Sequence, residues 1–115
     1  MNQVNHFTIE AEKMMLSSGE IISFPYPVQK AIEFDHTIVV MLDAPPGTRY
    51  NENVFGIDRN GNVVWQIEKR PSPYPDTAYL NLNRAGDNAK LNNYDGSELI
   101  VEPHTGKILE ERYTK

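Results

Sequence analysis

The chain contains no cysteine in its 115 residues. Disulfides, thiolate metal sites and thiol catalysis are excluded at once. Long apolar runs are missing too. The longest, Ile38 to Leu42, has five residues, and a membrane-spanning helix needs about 20. Positive charge is scarce: 11 Lys and Arg stand against 16 Asp and Glu, for a formal net charge of -5. The basic residues are scattered singly apart from Lys69-Arg70, a pair too small to track a phosphate backbone. A nucleic-acid partner is therefore not expected. The acidity serves solubility first and suits a basic partner second. Met1 to His6 lacks the positive start and apolar segment of a secretion signal. A cytoplasmic protein of bacterial type, without a membrane partner, is the expectation.

Catalytic signatures are equally sparse. No Gly-x-Ser-x-Gly elbow occurs, and Ser17, Ser18, Ser23, Ser72 and Ser97 have no base nearby in sequence. Gly56 and Gly61 sit in a strand and a hairpin turn, without the strand-loop-helix setting of a phosphate loop. His6, His36 and His104 are isolated, so they read as surface or turn residues and no metal site is expected. Asp35, Asp43, Asp58, Asp76, Asp87 and Asp95 mostly fall in turns, where Asp hydrogen-bonds its own backbone. Asp58-x-Asn60-Gly61 copies part of a calcium loop but lacks the later carboxylates. No catalytic residue, metal or cofactor is assigned.

What the sequence has is alternation punctuated by glycine. Hairpin turns centre on Gly19, Gly61 and Gly106. Val54 to Val64 aligns with Leu99 to Leu109 at an offset of 45. Gly61 and Gly106 read as one turn used twice, with Gly19 a looser third. Asn60-Gly61 favours a type I′ turn, in which both residues take positive φ. Val63, Trp65 and Ile67 share the core face of their strand, and Leu80 and Leu82 point inward from theirs. Thr37 to Leu42 is apolar on both faces and reads as a central strand covered on both sides. Ala89 to Asn93 reads as a polar, protected edge, as does the strand from Lys107 to Tyr113. Two segments stay open: Val28 to Phe34 fits a short helix or a strand, and Ala11 to Leu16 fits a strand or a helical turn. The expected fold is a single all-β domain over residues 1–115. It is an antiparallel meander of about 8–10 short strands, forming a sandwich or partly open barrel.

Asp58, Asn60-Gly61 and Val64-Trp65, with Asp95-Gly96 and Thr105-Gly106-Lys107-Ile108-Leu109, resemble the blades of quinoprotein-type (PQQ-like) β-propellers. The resemblance covers roughly the second half of the chain. It implies that the Thr-Gly turn joins the two outer strands of a blade and that Trp65 packs between blades. A closed propeller needs at least about four blades, so this chain is too short to be one. The quinone cofactor is not carried over, because its binding residues have no counterpart here.

The binding candidates are Tyr26 and Tyr74. Each is flanked by prolines, in Phe24-Pro25-Tyr26-Pro27 and Ser72-Pro73-Tyr74-Pro75. Stiff loops present an aromatic at low entropic cost, and tyrosine is a favoured interface anchor. If both loops lie at one end of the sheets they form a binding rim. The expected function is a non-enzymatic binding or protein-interaction module, one version being an immunity-type inhibitor of a toxin. Two alternatives stand beside it: a small-ligand (sugar) binding protein or enzyme with a pocket in the barrel, and a structural homo-oligomer completing blades between copies.

Overall fold

The computed structural model describes residues 6–113. Residues 1–5, on which most of the secretion-signal expectation rests, lie outside the described residues. The fold is all-β: the described residues contain no helix and eleven strands in three antiparallel sheets, with no closed barrel.

The first sheet is a three-stranded meander of β1 (Phe7–Glu10), β2 (Lys13–Leu16) and β3 (Ile21–Ser23). The second runs β4 (Val28–Phe34), β5 (Thr37–Leu42), β6 (Val54–Asp58) and β7 (Val63–Gln66). The third repeats that order with β8 (Tyr79–Ala85), β9 (Asn88–Asn93), β10 (Ser97–Val101) and β11 (Ile108–Tyr113). Val28–Phe34 is therefore a strand and Ala11 to Leu16 a turn followed by a strand, and two-residue turns explain why. Ala11-Glu12 and Asp35-His36 close tight hairpins in which Ala11 and Asp35 take positive φ. The segments aligned at an offset of 45 are the third and fourth strands of two successive meanders.

The second sheet is the middle layer. Every residue of β5 is buried. Ile38, Val40 and Leu42 face the first sheet, packing with Met14, Leu16, Phe24, Phe55 and Ile57. Val39 and Met41 face the third, packing with Trp65, Leu82, Leu91, Leu99 and Val101. The alternating run from Thr37 to Leu42 thus supplies two cores at once.

Bulges shift two of the expected faces. A register break in the β6–β7 pair opposes Ile57 to Val63 and Gly56 to Trp65, with Val64 as the extra residue. Trp65 and Ile67 stay inside, but Val63 is 53% exposed. A second break pairs Tyr79 with Asn93 and Asn81 with Asn92, leaving Leu80 over. Leu80 is consequently 47% exposed, and Tyr79 takes its place in the core. A bulge inserts one residue, and with a side-chain period of two the residues before it change face. The strand from Ala89 to Asn93 is not an edge. It lies between β8 and β10 with Ala89, Leu91 and Asn93 buried, so its polar residues mark one face rather than an exposed rim. β11 does lie at an edge.

The turns also sort differently. At Gly61 the Asp58 amide donates to the Asn62 carbonyl and the Gly61 amide to the Asp58 carbonyl. Gly61 has φ +90° while Asn60 stays out of the left-handed region. This is a three-residue loop with glycine in its last position, not a type I′ turn. Gly19 repeats the pattern through Leu16 and Glu20. Gly106 closes a longer loop, donating to Glu102, whose amide donates to Lys107. Gly19 and Gly61 are the matched pair, and Gly106 is the variant.

Trp65 joins the second sheet to the third. Its indole Nε1 donates to the Pro103 carbonyl at 2.8 Å. The ring lies between two glycines: a Cβ on Gly56 would stand 2.1 Å from Nε1, and one on Gly106 would stand 2.5 Å from Cδ2. Glycine at both places admits the indole.

Candidate functional site

The meander order divides the second and third sheets into two ends. One carries the tight turns at 35–36, 59–61, 86–87 and 102–107. The other carries the loops 43–53 and 67–78, the turn 94–96 and the approach to β4 at 24–27. Both proline-flanked tyrosines sit at this loop end. They lie in different surroundings. Tyr26 packs edge-on to Tyr50, with ring centroids 5.1 Å apart, against the core between the first and second sheets. Tyr74 stands exposed above the third sheet, with Tyr113 of β11 beside it.

Asparagines build this end. Asn53 is buried just before β6. Its Nδ2 donates to the carbonyls of Leu42 and Tyr79 at 2.9 and 3.0 Å, and its Oδ1 accepts from the Tyr79 amide at 2.8 Å. One side chain thus stands in for strand pairing between β5 and β8, which belong to different sheets. Asn51 accepts from the Thr77 amide and donates to the Pro75 carbonyl. Asn93 donates to the Thr77 carbonyl and accepts from the Asp95 amide. The loop carrying Tyr74 is therefore clamped from both sheets. Ser72 Oγ adds a local turn by accepting from the Tyr74 amide at 3.2 Å.

Two hollows open between these loops. The larger is an open cleft of about 860 Å³. Tyr50 and Tyr94 line it, together with Asp43, Arg49, Asn51 and Asp76. Arg49 and Asp76 form an exposed ion pair across it at 3.3 Å. Burial raises the Tyr50 hydroxyl above its ordinary pKa, opposed by a hydrogen bond with Gln66.

The smaller hollow, about 260 Å³, lies between the 70–74 segment and the inner face of β10 and β11. Its floor is Arg70, whose side chain is 6% exposed, paired at 3.0 Å with Asp95, which is 5% exposed. The same Nη2 donates to Ser97 Oγ and to Glu111 Oε2 at 3.0 and 3.2 Å. Arg70 Nε is buried without a protein partner. Burial by itself would raise the Asp95 carboxyl. The Ser97 amide and hydroxyl and the Arg70 guanidinium outweigh it and hold the carboxyl below its ordinary value. Burial pushes the Tyr79 hydroxyl up to about 12 despite the positive charge of Arg70 nearby. Tyr79 is therefore neutral at physiological pH and Asp95 ionised.

The opposite end gathers histidines. His36 and His104 lie on neighbouring turns, ring centroids 6.5 Å apart, and His104 Nδ1 bonds to Thr37 Oγ1 at 2.8 Å. His6 meets Glu33 at 2.8 Å. Among the described residues no group of three or more His, Asp or Glu is placed to share a metal ion.

Sequence reasoning missed Asn53, Asn93 and the Arg70–Asp95 pair. In the sequence Arg70 reads only as half of Lys69-Arg70, too small a cluster for phosphate. Asn53 leaves a faint trace, an amide directly ahead of the apolar strand at Val54. Trp65 lines neither hollow and is a core residue. No helix among the described residues is long and apolar enough to cross a membrane. No curated protein matches the chain. A family model described as a domain of unknown function, DUF7957, matches residues 4–113, and the chain belongs to that family.

Proposed function

We propose that this domain is a non-enzymatic binding module of the cytoplasm that offers its loop end to a protein partner. One observation carries the reading: the exposed tyrosines Tyr74 and Tyr94, on connections beside the buried clamps Asn53, Asn93 and Arg70, and Tyr113, at the end of β11, border two hollows there. Rigid aromatic anchors over open hollows suit a partner surface, because little entropy is lost when they are covered. The net charge of -5 favours a basic partner. An immunity-type inhibitor is one form of such a module, suggested by charge and size.

Affinity capture from a lysate of the native host tests the reading. The Tyr74→Ala, Tyr94→Ala double variant should lose a stoichiometric partner that the wild type retains. Equal capture by a folded double variant would count decisively against it.

A second reading takes the larger cleft as a sugar site. Its volume is in the range of small-ligand pockets, and Tyr50 and Tyr94 stand beside Asp43, Asn51 and Asp76. Oligosaccharide titration followed by NMR would show shifts confined to residues 43–53 and Tyr94 on this reading, and none otherwise.

The propeller resemblance gains support from two four-stranded meanders in succession and from Trp65 set between sheets against Gly106. We propose that the sheets are blade-like units in an open stack. Completion of blades by a second copy is disfavoured by the outer face of the third sheet. By register that face presents Asn81, Asn92, Glu98 and Arg112 in one row, and Asn83, Lys90, Ile100 and Glu110 in the next. Polar outer faces end stacks rather than extend them.

A further inference from the structure

The smaller hollow has a shape and a charge of its own. We propose that it seats one cationic side chain, an arginine or a lysine, belonging to the partner. This rests on the reading of the loop end as a partner surface and names the chemistry that surface selects.

The volume, about 260 Å³, suits a single side chain rather than a cofactor or a helix. Pro71 and Pro73 hold the 70–74 wall, and Tyr74 and Tyr113 line the hollow from that wall and from β11. Glu111 and Tyr113 are two residues apart on β11, so both project from the same face of the strand. That face is the one over the hollow, since Leu99 and Ser97 are their partners across β10.

The lining contains one guanidinium and two carboxylates, a formal excess of one negative charge. Arg70 is already engaged by Asp95, Ser97 and Glu111 through Nη2, and its unpartnered Nε is shut away from solvent. An incoming anion would meet the Glu111 carboxylate first, since that side chain is 48% exposed against 6% for Arg70. An incoming cation meets the half-exposed Glu111 carboxylate, of which only Oε2 is bonded to Arg70, and two tyrosine rings. Carboxylate and aromatic faces together are the usual surroundings of a bound cation. The buried Arg70–Asp95 pair fixes the floor, so the cavity exists before the guest arrives.

The test is NMR titration of the isotope-labelled domain with acetyl-arginine-amide and acetyl-lysine-amide, with acetyl-citrulline-amide as the neutral isostere. Both cations should shift Ser72, Tyr74, Glu111, Tyr113 and the Arg70 side-chain Nε–H resonance at millimolar concentration, and citrulline should not. Glu111→Gln, at a half-exposed position on an edge strand, should keep the spectrum of the folded protein and weaken the cations about fivefold. Tyr113→Leu should weaken them as well. Equal shifts from citrulline, no shifts at these residues, or full binding by both variants would overturn the proposal. Capture of a lysate partner that depends on Tyr94 but is indifferent to Glu111→Gln would overturn this proposal and leave the partner reading standing. Loss of Tyr94 dependence, with the arginine shifts intact, would do the reverse.

Discussion

Asn53 does work that no apolar residue of similar size could do. Its amide answers two carbonyls and one amide that would otherwise be buried without partners between β5 and β8. Asn53→Leu should cost about 3 kcal/mol, since each orphaned buried group costs about 1–3 kcal/mol. Asn51→Ala, at a more accessible site, should cost under about 1 kcal/mol in the same urea titration. Glycines give a second contrast. Gly106→Ala puts a methyl 2.5 Å from the Trp65 ring at φ +76°, whereas Gly19→Ala meets open space at φ +97°. The first should lose more than about 2 kcal/mol and the second about 1 kcal/mol, the cost of the left-handed backbone alone.

The Arg70–Asp95 pair fixes the pH dependence at the same scale. Asp95 is held below its ordinary pKa in the folded protein. Its contribution is therefore complete above the unfolded value of about 3.9 and is lost as pH falls through the lower, folded value. Asp95→Asn leaves a buried guanidinium short of a partner and should cost about 3 kcal/mol at pH 7. That deficit should shrink as the pH is taken below about 4, because the wild type then loses the same charge. Thermal melts of both proteins from pH 7 to pH 3 check the convergence.

Among the elements, short continuous apolar runs made β5 and β6 legible in the sequence, and alternation made β10 so. Thr37 to Leu42 has no polar face, and only a strand between two layers satisfies that pattern. Alternation misled at Val63 and Leu80, because a bulge leaves no mark in a hydrophobicity pattern yet moves every residue before it to the other face. It misled again at Ala89 to Asn93, where asparagine and lysine form one polar face of an interior strand. The loop end was half legible. Proline marked the stiff segments around Tyr26 and Tyr74, but the clamps holding them are pairs such as Asn51–Thr77 and Arg70–Asp95, 25 or more residues apart. Local sequence carries no sign of such pairs. Tight turns hold strain of their own. Ala11 takes φ +53° in the β1–β2 turn, while its carbonyl accepts from the Val28 amide. Ala11→Gly should relieve the backbone and raise stability by up to about 1 kcal/mol, read as a higher denaturation midpoint.

Three sheets lie in a row, and the molecule is asymmetric about that row. The polar grid on the third sheet ends the stack on one side, and at the loop end the layers are bolted together by side-chain amides instead of shared strands. Such a scaffold is stiff where the tyrosines stand and closed by short turns at the opposite end. The central claim is that the loop end meets a partner. Hydrogen–deuterium exchange on the domain with its captured partner tests this most directly. The account predicts new protection at residues 43–53 and 69–78 and at Tyr94 and Tyr113, with the turns at 35–36, 59–61 and 102–107 unchanged. Protection centred on those turns, with the loop end exchanging as in the free domain, would contradict it.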